Sequence, residues 1–376
     1  MKNLLIIFVN LLLINSFNCS FQFDIFNRMN KDKKGDNLII SPLSIFQVLS
    51  LTANGAEGKT QSEMLDLLGS SSIEELNEIN YDILSKINGI STLDIANAVM
   101  SKFTPLDNFC NIAEKYLAPI EPLISVEQVN NWCSNKTHGK IDKIIDVLGP
   151  KTVMILLNAL YFKDEWSLQF ERRLTKNLTF YNLGSEEKEV ETMSQLEHFY
   201  YYENKKVQII ELEFRHNYMS ALIILPSAQI DINTYISNLQ ISRDEFSILL
   251  TQLKRKKVHL QLPKFEVNYS EELNQILIDL GMYDAFSSLD ADFTGLRKEG
   301  GLYISKVIHK TYLKVNEEGT EAAAVTIVEM NESAIFDEDS KIYDMKVNRP
   351  FLFILRKEDL PKNYDILFIS KIEELK

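Results

Sequence analysis

The chain has 376 residues, 45% hydrophobic and 25% charged, enough to bury a sizeable core, and no linker-like stretch or change of composition divides it, so it reads as one large domain. Its formal net charge of -13 argues against nucleic acid, heparin-like polyanions and anionic membrane surfaces as direct partners, and favours cationic ones. Three cysteines are too few for a disulfide framework in a chain this long.

Met1-Lys2-Asn3 precede an apolar run from Leu4 to Ile14 that only Asn10 interrupts. That length fits a secretory signal peptide and is too short to span a bilayer. Residues 1–18 are therefore expected to be removed, with cleavage somewhere in 16–20, and 19–376 to form the mature domain; an uncleaved apolar helix is the alternative. Secretion or storage in a secretory vesicle follows. It would make the sequons at Asn18, Asn135, Asn177, Asn268 and Asn331 glycosylation candidates. Cleavage after residue 19 would remove Cys19 with the leader. A Cys110–Cys133 bridge is conceivable, but two buried free thiols are the expected state.

Phe21, Phe23, Ile25, Phe26 and Met29 recur at helical spacing and predict a packed N-terminal helix. After a charged turn, Asn37 to Ile40 reads as a short strand running into a helix capped by Ser41, with Pro42 at its first position and Ile45, Val48, Leu49 and Thr52 on one face. Ala53 to Thr60 satisfies a loose phosphate-loop pattern, with Ala in place of the first Gly. That chemistry needs a strand before the loop, and a helix stands there instead, so Gly55 and Gly58 are read as ending the helix and turning the chain.

Further on, Ile95 to Val99 and Val153 to Phe162 are strand-like. Two more strands are visible between Val207 and Pro226, separated by Arg215-His216-Asn217. Lys257 to Val267 reads as one alternating strand, followed by a helix reaching Met282. Asn348 to Ile354 and Ile366 to Ile369 are apolar and pair-like at the C-terminal end.

The stretch Val315 to Phe336 mixes contradictory signals. An Ala-rich core suggests helix, yet from Thr320 the alternation also fits a strand. One face would carry Thr320, Ala322, Ala324, Thr326, Val328 and Met330, small or apolar, and Gly319 before it supplies a hinge. The pattern suits a strand able to slide between two existing ones.

The run Glu317-Glu318-Gly319-Thr320-Glu321-Ala322-Ala323-Ala324-Val325-Thr326 closely resembles the hinge of inhibitory serpins. Asn158 to Trp166 is a second specific match, although serpins usually have Gly where Asp164 stands. Asn37, Ser41, Pro42 and Ser44 resemble the family's shutter segment beneath the main sheet. His309 matches a shutter histidine that would hydrogen-bond a group such as Asn158, and Trp166 would lie where the loop enters the sheet. Val129 to Ile141 resembles the segment ahead of the helix that crosses the sheet. Serpins more often have Gly where Ser370 stands. The resemblance covers about residues 21 to 372.

It implies an α+β fold with a large central, mostly antiparallel sheet, smaller sheets and about eight or nine helices. An exposed reactive-centre loop would occupy about 317–346, with the bait bond at Ser333–Ala334 or, as the main alternative, at Phe336. The implied partner is a serine protease trapped as a covalent acyl-enzyme; no cofactor, metal, nucleic acid or membrane is implied, and a monomer is expected. No Gly-x-Ser-x-Gly, His-Glu-x-x-His or Cys-x-x-Cys motif supports enzyme activity, and the five histidines show no ligand spacing. A non-inhibitory carrier, storage protein or chaperone on the same fold is the competing reading.

Overall fold

The computed structural model describes residues 21–149, 152–216, 218–239, 243–320 and 341–376. Helix α1 (Phe21–Lys31) buries the five apolar residues expected of it. Strand β1 (Leu38–Ile40) leads into helix α2 (Pro42–Ala53), whose cap is Ser41 and whose twelve residues are all buried. Burial on every side explains why its apolar pattern is not confined to one face: the Ser50 and Thr52 hydroxyls donate to the carbonyls of Phe46 and Val48, both at 2.7 Å, and so lose no partner on leaving water.

Helices α3 (Gly58–Leu68) and α4 (Ile73–Ile87) follow. Gly55 turns the chain where a Cβ would come within 2.4 Å of Leu296, whereas Gly58 opens α3 instead of only making a turn. Then come β2 (Leu93–Ser101), α5 (Asp107–Lys115), β3 (Ile120–Pro122), α6 (Val126–Lys136), β4 (Met154–Phe162) and β5 (Asp164–Glu165). Here the structure corrects one expectation. The segment around Val129 does not precede the crossing helix but forms it: Val129, Trp132 and Cys133 of α6 pack on Ala98 and Met100 of β2, Leu157 of β4 and Tyr312. Residues 137–149 contain no helix after it.

Strands β6 (Lys176–Asn182), β7 (Glu186–Glu203), β8 (Val207–Glu213) and β9 (Met219–Pro226), helices α7 (Ile232–Leu239) and α8 (Arg243–Gln252), and strands β10 (Lys254–Pro263) and β11 (Phe265–Glu272) continue the chain. The single strand expected over Lys257 to Val267 is thus two. Beyond Pro263, which has no N–H to continue a ladder, the chain crosses at Lys264 from one sheet to another. Helix α9 (Asn274–Asp279) precedes β12 (Ile308–Val315) and β13 (Gly319–Thr320); β14 (Tyr343–Lys346), β15 (Phe351–Lys357) and β16 (Ile366–Ile372) complete the fold.

The described residues hold nine α-helices and three sheets. The largest has the order β1-β16-β15-β9-β8-β7-β10-β14, with β6 on β7, and all but the β10/β14 pair are antiparallel. Its two C-terminal strands are buried almost throughout, as their apolar runs require. The other two sheets are β11-β12-β13-β5 and β3-β2-β4. They are two parts of one surface, because β5 continues β4 after a single residue. Below β13, the described residues of β4 and β12 lie side by side but form no ladder with each other. This seam organises the functional site.

Candidate functional site

At the upper end of the seam, Gly319 and Thr320 already lie between two strands. Gly319 pairs with Glu165 and Thr320 with Asp164 on one side, and Thr320 pairs with Val315 on the other. Thr320 is fully buried, and its hydroxyl accepts the Asp164 N–H at 3.2 Å. Gly319 has φ +148°, and a Cβ there would stand 2.0 Å from the Asp164 carbonyl oxygen. Only glycine fits so close a backbone approach. The turn before it is closed by Asn316, whose side-chain oxygen accepts the N–H groups of Glu318 and Gly319 at 3.0 and 3.2 Å.

Trp166 seals this end, 1% exposed and stacked on Phe214 with ring centroids 4.3 Å apart. Its backbone N–H donates to the Glu318 carbonyl at 2.8 Å, and its indole Nε1–H to that of Asn316 at 2.9 Å. Trp166 thus lies against the residues that precede Gly319 and Thr320.

The span expected as an exposed loop, 317–346, is narrower at both ends. Glu317, Glu318, Gly319 and Thr320 are buried, and Tyr343–Lys346 is strand β14. Burial of two acids requires partners. Glu317 accepts the Thr175 hydroxyl at 2.8 Å and lies 3.4 Å from Lys264 Nζ; burial alone would raise its carboxyl, but its own N–H, Thr175 and Lys264 outweigh that and hold it below the usual range. Glu318 pairs with Arg172, leaving its second oxygen buried without a partner. Asp164, where a glycine was expected, has a buried carboxylate. It takes hydrogen bonds from His216 and the Glu165 N–H, both at 2.8 Å, yet burial still pushes its carboxyl up.

Midway along the seam, the Ser41 N–H at the head of α2 donates to His309 Nε2 at 3.0 Å. The neutral ring therefore carries its proton on Nδ1, and complete burial pushes its pKa down to about 3. Ser41 Oγ accepts the Ser44 N–H, and Thr311 donates to the Ile39 carbonyl at 3.1 Å. His309 was expected to bond a group such as Asn158; its partner here is the helix cap, and the Asn158 side chain lies outside the described residues. Asn37 does not join this cluster. Its side chain instead clamps the backbone of Glu373 and Glu374, at 2.7 to 2.9 Å, because β1 pairs with β16 and carries Asn37 to that edge.

At the foot of the seam is a cavity of about 330 Å³ between Val153 and Met154, where β4 begins, and Tyr303 to Lys306, which precede β12. The far end of the expected loop is tied down: β14 runs parallel to β10, and His259 bridges Asp344 (3.0 Å) and Ser194 (3.1 Å). Glu321 to Thr326, the bait positions Ser333 and Ala334, and Phe336 lie outside the described residues. Cys110 and Cys133 are both free; Cys133 is buried, Cys110 only partly.

Sequence reasoning missed Arg172, Thr175, Lys264 and His216. Each meets its partner from more than fifty positions away, and no local pattern marks it. Asn316 was accessible, since Asn followed by Gly three residues later is a turn signal. Among the described residues no group of His, Cys, Asp or Glu could hold a metal ion, and no helix is long and apolar enough to cross a membrane.

A family model described as serpin (serine protease inhibitor) matches residues 16–375. Human Serpin B8 is 32% identical over 371 residues, spanning 94% of this chain and 97% of its own length. The native state of the thermophilic serpin tengpin aligns with a TM-score of 0.84 at 33% identity, over 96% of this chain and 94% of that one. Human thyroxine-binding globulin complexed with thyroxine also gives 0.84, at 25% identity, over 96% of this chain and 97% of that one.

Proposed function

The chain belongs to the serpin family, and from that premise we propose that it is a secreted serine-protease inhibitor acting as a suicide substrate. The matching family model is described as serine protease inhibitor, which supports an inhibitory role, and serpins are not enzymes. In the proposed mechanism a protease attacks the loop beyond Thr320 with its own nucleophile, forms an acyl-enzyme and cleaves the bait bond. The freed segment inserts along the seam as a new strand and carries the enzyme with it before the ester is hydrolysed.

The observation that carries this reading is the seating of Gly319 and Thr320 between β5 and β12. Continued through an inserted strand, this antiparallel register would set Ala322 opposite Leu313 and Phe162, Ala324 opposite Thr311 and Leu160, and Met330 opposite Ser305 and Met154. On insertion the small side chains would then meet the upper seam and the larger one the level of the foot cavity. Ala costs no side-chain entropy and buries no polar group on entry. Fourteen residues from Thr320 to Ser333 at about 3.4 Å each span roughly 48 Å. Thyroxine-binding globulin, solved with thyroxine, shows that the same fold also binds a small molecule; the small hinge side chains of this chain favour inhibition.

For the bait bond, Ser333–Ala334 suits an elastase-like pocket and Phe336 a chymotrypsin-like one. Counting back from Pro350 points to Asp339 instead, so the loop is longer than usual, and the count from the hinge is preferred because it sets the length of the inserted strand. No Lys or Arg lies between Lys314 and Lys341, and eight acids lie between Glu317 and Asp339, so a cationic protease of chymotrypsin or elastase type is the proposed target. Incubation with such a protease should give a covalent complex that survives denaturing electrophoresis, forming more slowly as salt rises. Cleavage of the loop without any such complex would refute inhibition. Fast stable trapping of trypsin would refute the specificity.

A further inference from the structure

We propose that the foot cavity is a binding site for a small amphipathic carboxylate, and that a ligand seated there blocks strand insertion. The cavity's 330 Å³ lies within the range of small-molecule pockets, and Val153, Met154, Phe293, Leu296, Leu302 and Ile304 give it apolar walls. Arg297 also lines it. One terminal nitrogen of that guanidinium donates to the Gly300 carbonyl at 2.7 Å, and the Phe103 ring lies 5.2 Å away.

The Nε atom of Arg297 is buried and has no hydrogen-bond acceptor. The nearest paired carboxylate, exposed Glu299, stands 4.0 Å from it, beyond hydrogen-bond reach. The Arg297 side chain is 34% exposed, but its Nε–H is shielded and lacks an acceptor, and a carboxylate in the cavity would satisfy it with a charge-assisted bond. Lys306, the cavity's other cation, is already paired with Glu272 at 3.1 Å. Apolar walls and one unfilled cationic donor together select a ligand with a hydrocarbon body and a single carboxylate.

The site lies between the start of β4 and the residues before β12, and the continued register of β13 brings Met330 to this level. A bound carboxylate therefore occupies the space that the last residues of the inserted strand need. This regulatory half rests on the insertion mechanism proposed above. The binding half does not.

Calorimetric titration of the intact protein with decanoate, with decan-1-ol as the uncharged probe, tests the site. Decanoate should bind one to one. Arg297→Gln should weaken decanoate at least tenfold while leaving decan-1-ol unchanged, and Val153→Phe, which fills the cavity, should abolish both. No decanoate binding, or equal affinity in Arg297→Gln, would overturn the site without reference to any protease. Saturating decanoate should then shift the products with a trapped protease from covalent complex to cleaved inhibitor. An unchanged partition despite Arg297-dependent binding would overturn the blocking role alone. Absence of complex even without decanoate would instead count against the insertion mechanism, with calorimetry still deciding the site.

Discussion

His309 makes folding stability depend on pH in a window that can be calculated. In the fold its ring is buried, accepts the Ser41 N–H and has a pKa of about 3; in the unfolded chain it reverts to 6.5. Because the folded value is depressed, the unfolded chain binds the proton more readily. The contribution is fully present above pH 6.5 and is lost as pH falls toward 3. Each unit in that window removes about 1.4 kcal/mol, so at pH 5 the wild type should have lost about 2 kcal/mol through this group. His309→Gln keeps an acceptor for Ser41 without a titrating ring. Denaturant unfolding of both proteins at pH 7 and pH 5 isolates the effect, since His216, His259 and the carboxylates are common to both. The gap between wild type and variant should shrink or reverse at pH 5. An identical gap at the two pH values would refute a neutral, buried His309.

Three further outcomes are expected. Thr320→Glu should convert the inhibitor into a substrate, because it sets a second buried carboxylate beside Asp164; the ratio of complex to cleaved product on a denaturing gel measures this, and Thr320→Arg, which Asp164 can neutralise, should do less harm. Gly319→Ala should drive the hinge out from between β5 and β12, since its Cβ has no room beside the Asp164 carbonyl, and the emission of Trp166, bonded to Asn316 and Glu318, should shift. Cutting the loop should raise thermal stability, through new strand hydrogen bonds and a filled foot cavity; equal or lower melting of the nicked protein would mean that no strand enters.

Around Gly319 the signals are local, since the glycine and the Asn316 turn fall within a few residues, whereas Glu321 to Thr326 lie outside the described residues. The Ser41–Pro42 cap and the buried C-terminal strands were legible for the same reason. What could not be read depends on distant contacts. Nothing near Arg172 or Lys264 says that they neutralise Glu318 and Glu317, and nothing near Asn37 says that it clamps the chain end instead of the shutter. The crossing helix α6 was misplaced because its buried face is set by β2, β4 and Tyr312, all remote in sequence. Asp164 was recognised as a departure, but only the structure shows that His216 partners its buried carboxylate.

In the insertion mechanism proposed above, the distribution of chemistry along the seam would set where insertion is controlled. At the top, Gly319 and Thr320 already hold their strand bonds, and polar contacts to Trp166, Thr175 and Lys264 fix the residues before them, so further entry need not break that end. At the foot an apolar cavity gives an incoming side chain contacts without first displacing a strand pairing. Between them lies His309, which ties β12 to the head of α2 through Ser41, and an inserted strand in the register of β13 would bring Thr326 opposite it. A strand passing this level must separate β12 from β4 over a fully buried helix. In the proposed mechanism barrier and reward would therefore be spatially distinct: His309 and Ser41 would resist opening at mid-seam, and burial at the foot would reward completion. A change at mid-seam should act chiefly on the rate of insertion, whereas a change at the foot should act chiefly on how far the inserted state is stabilised.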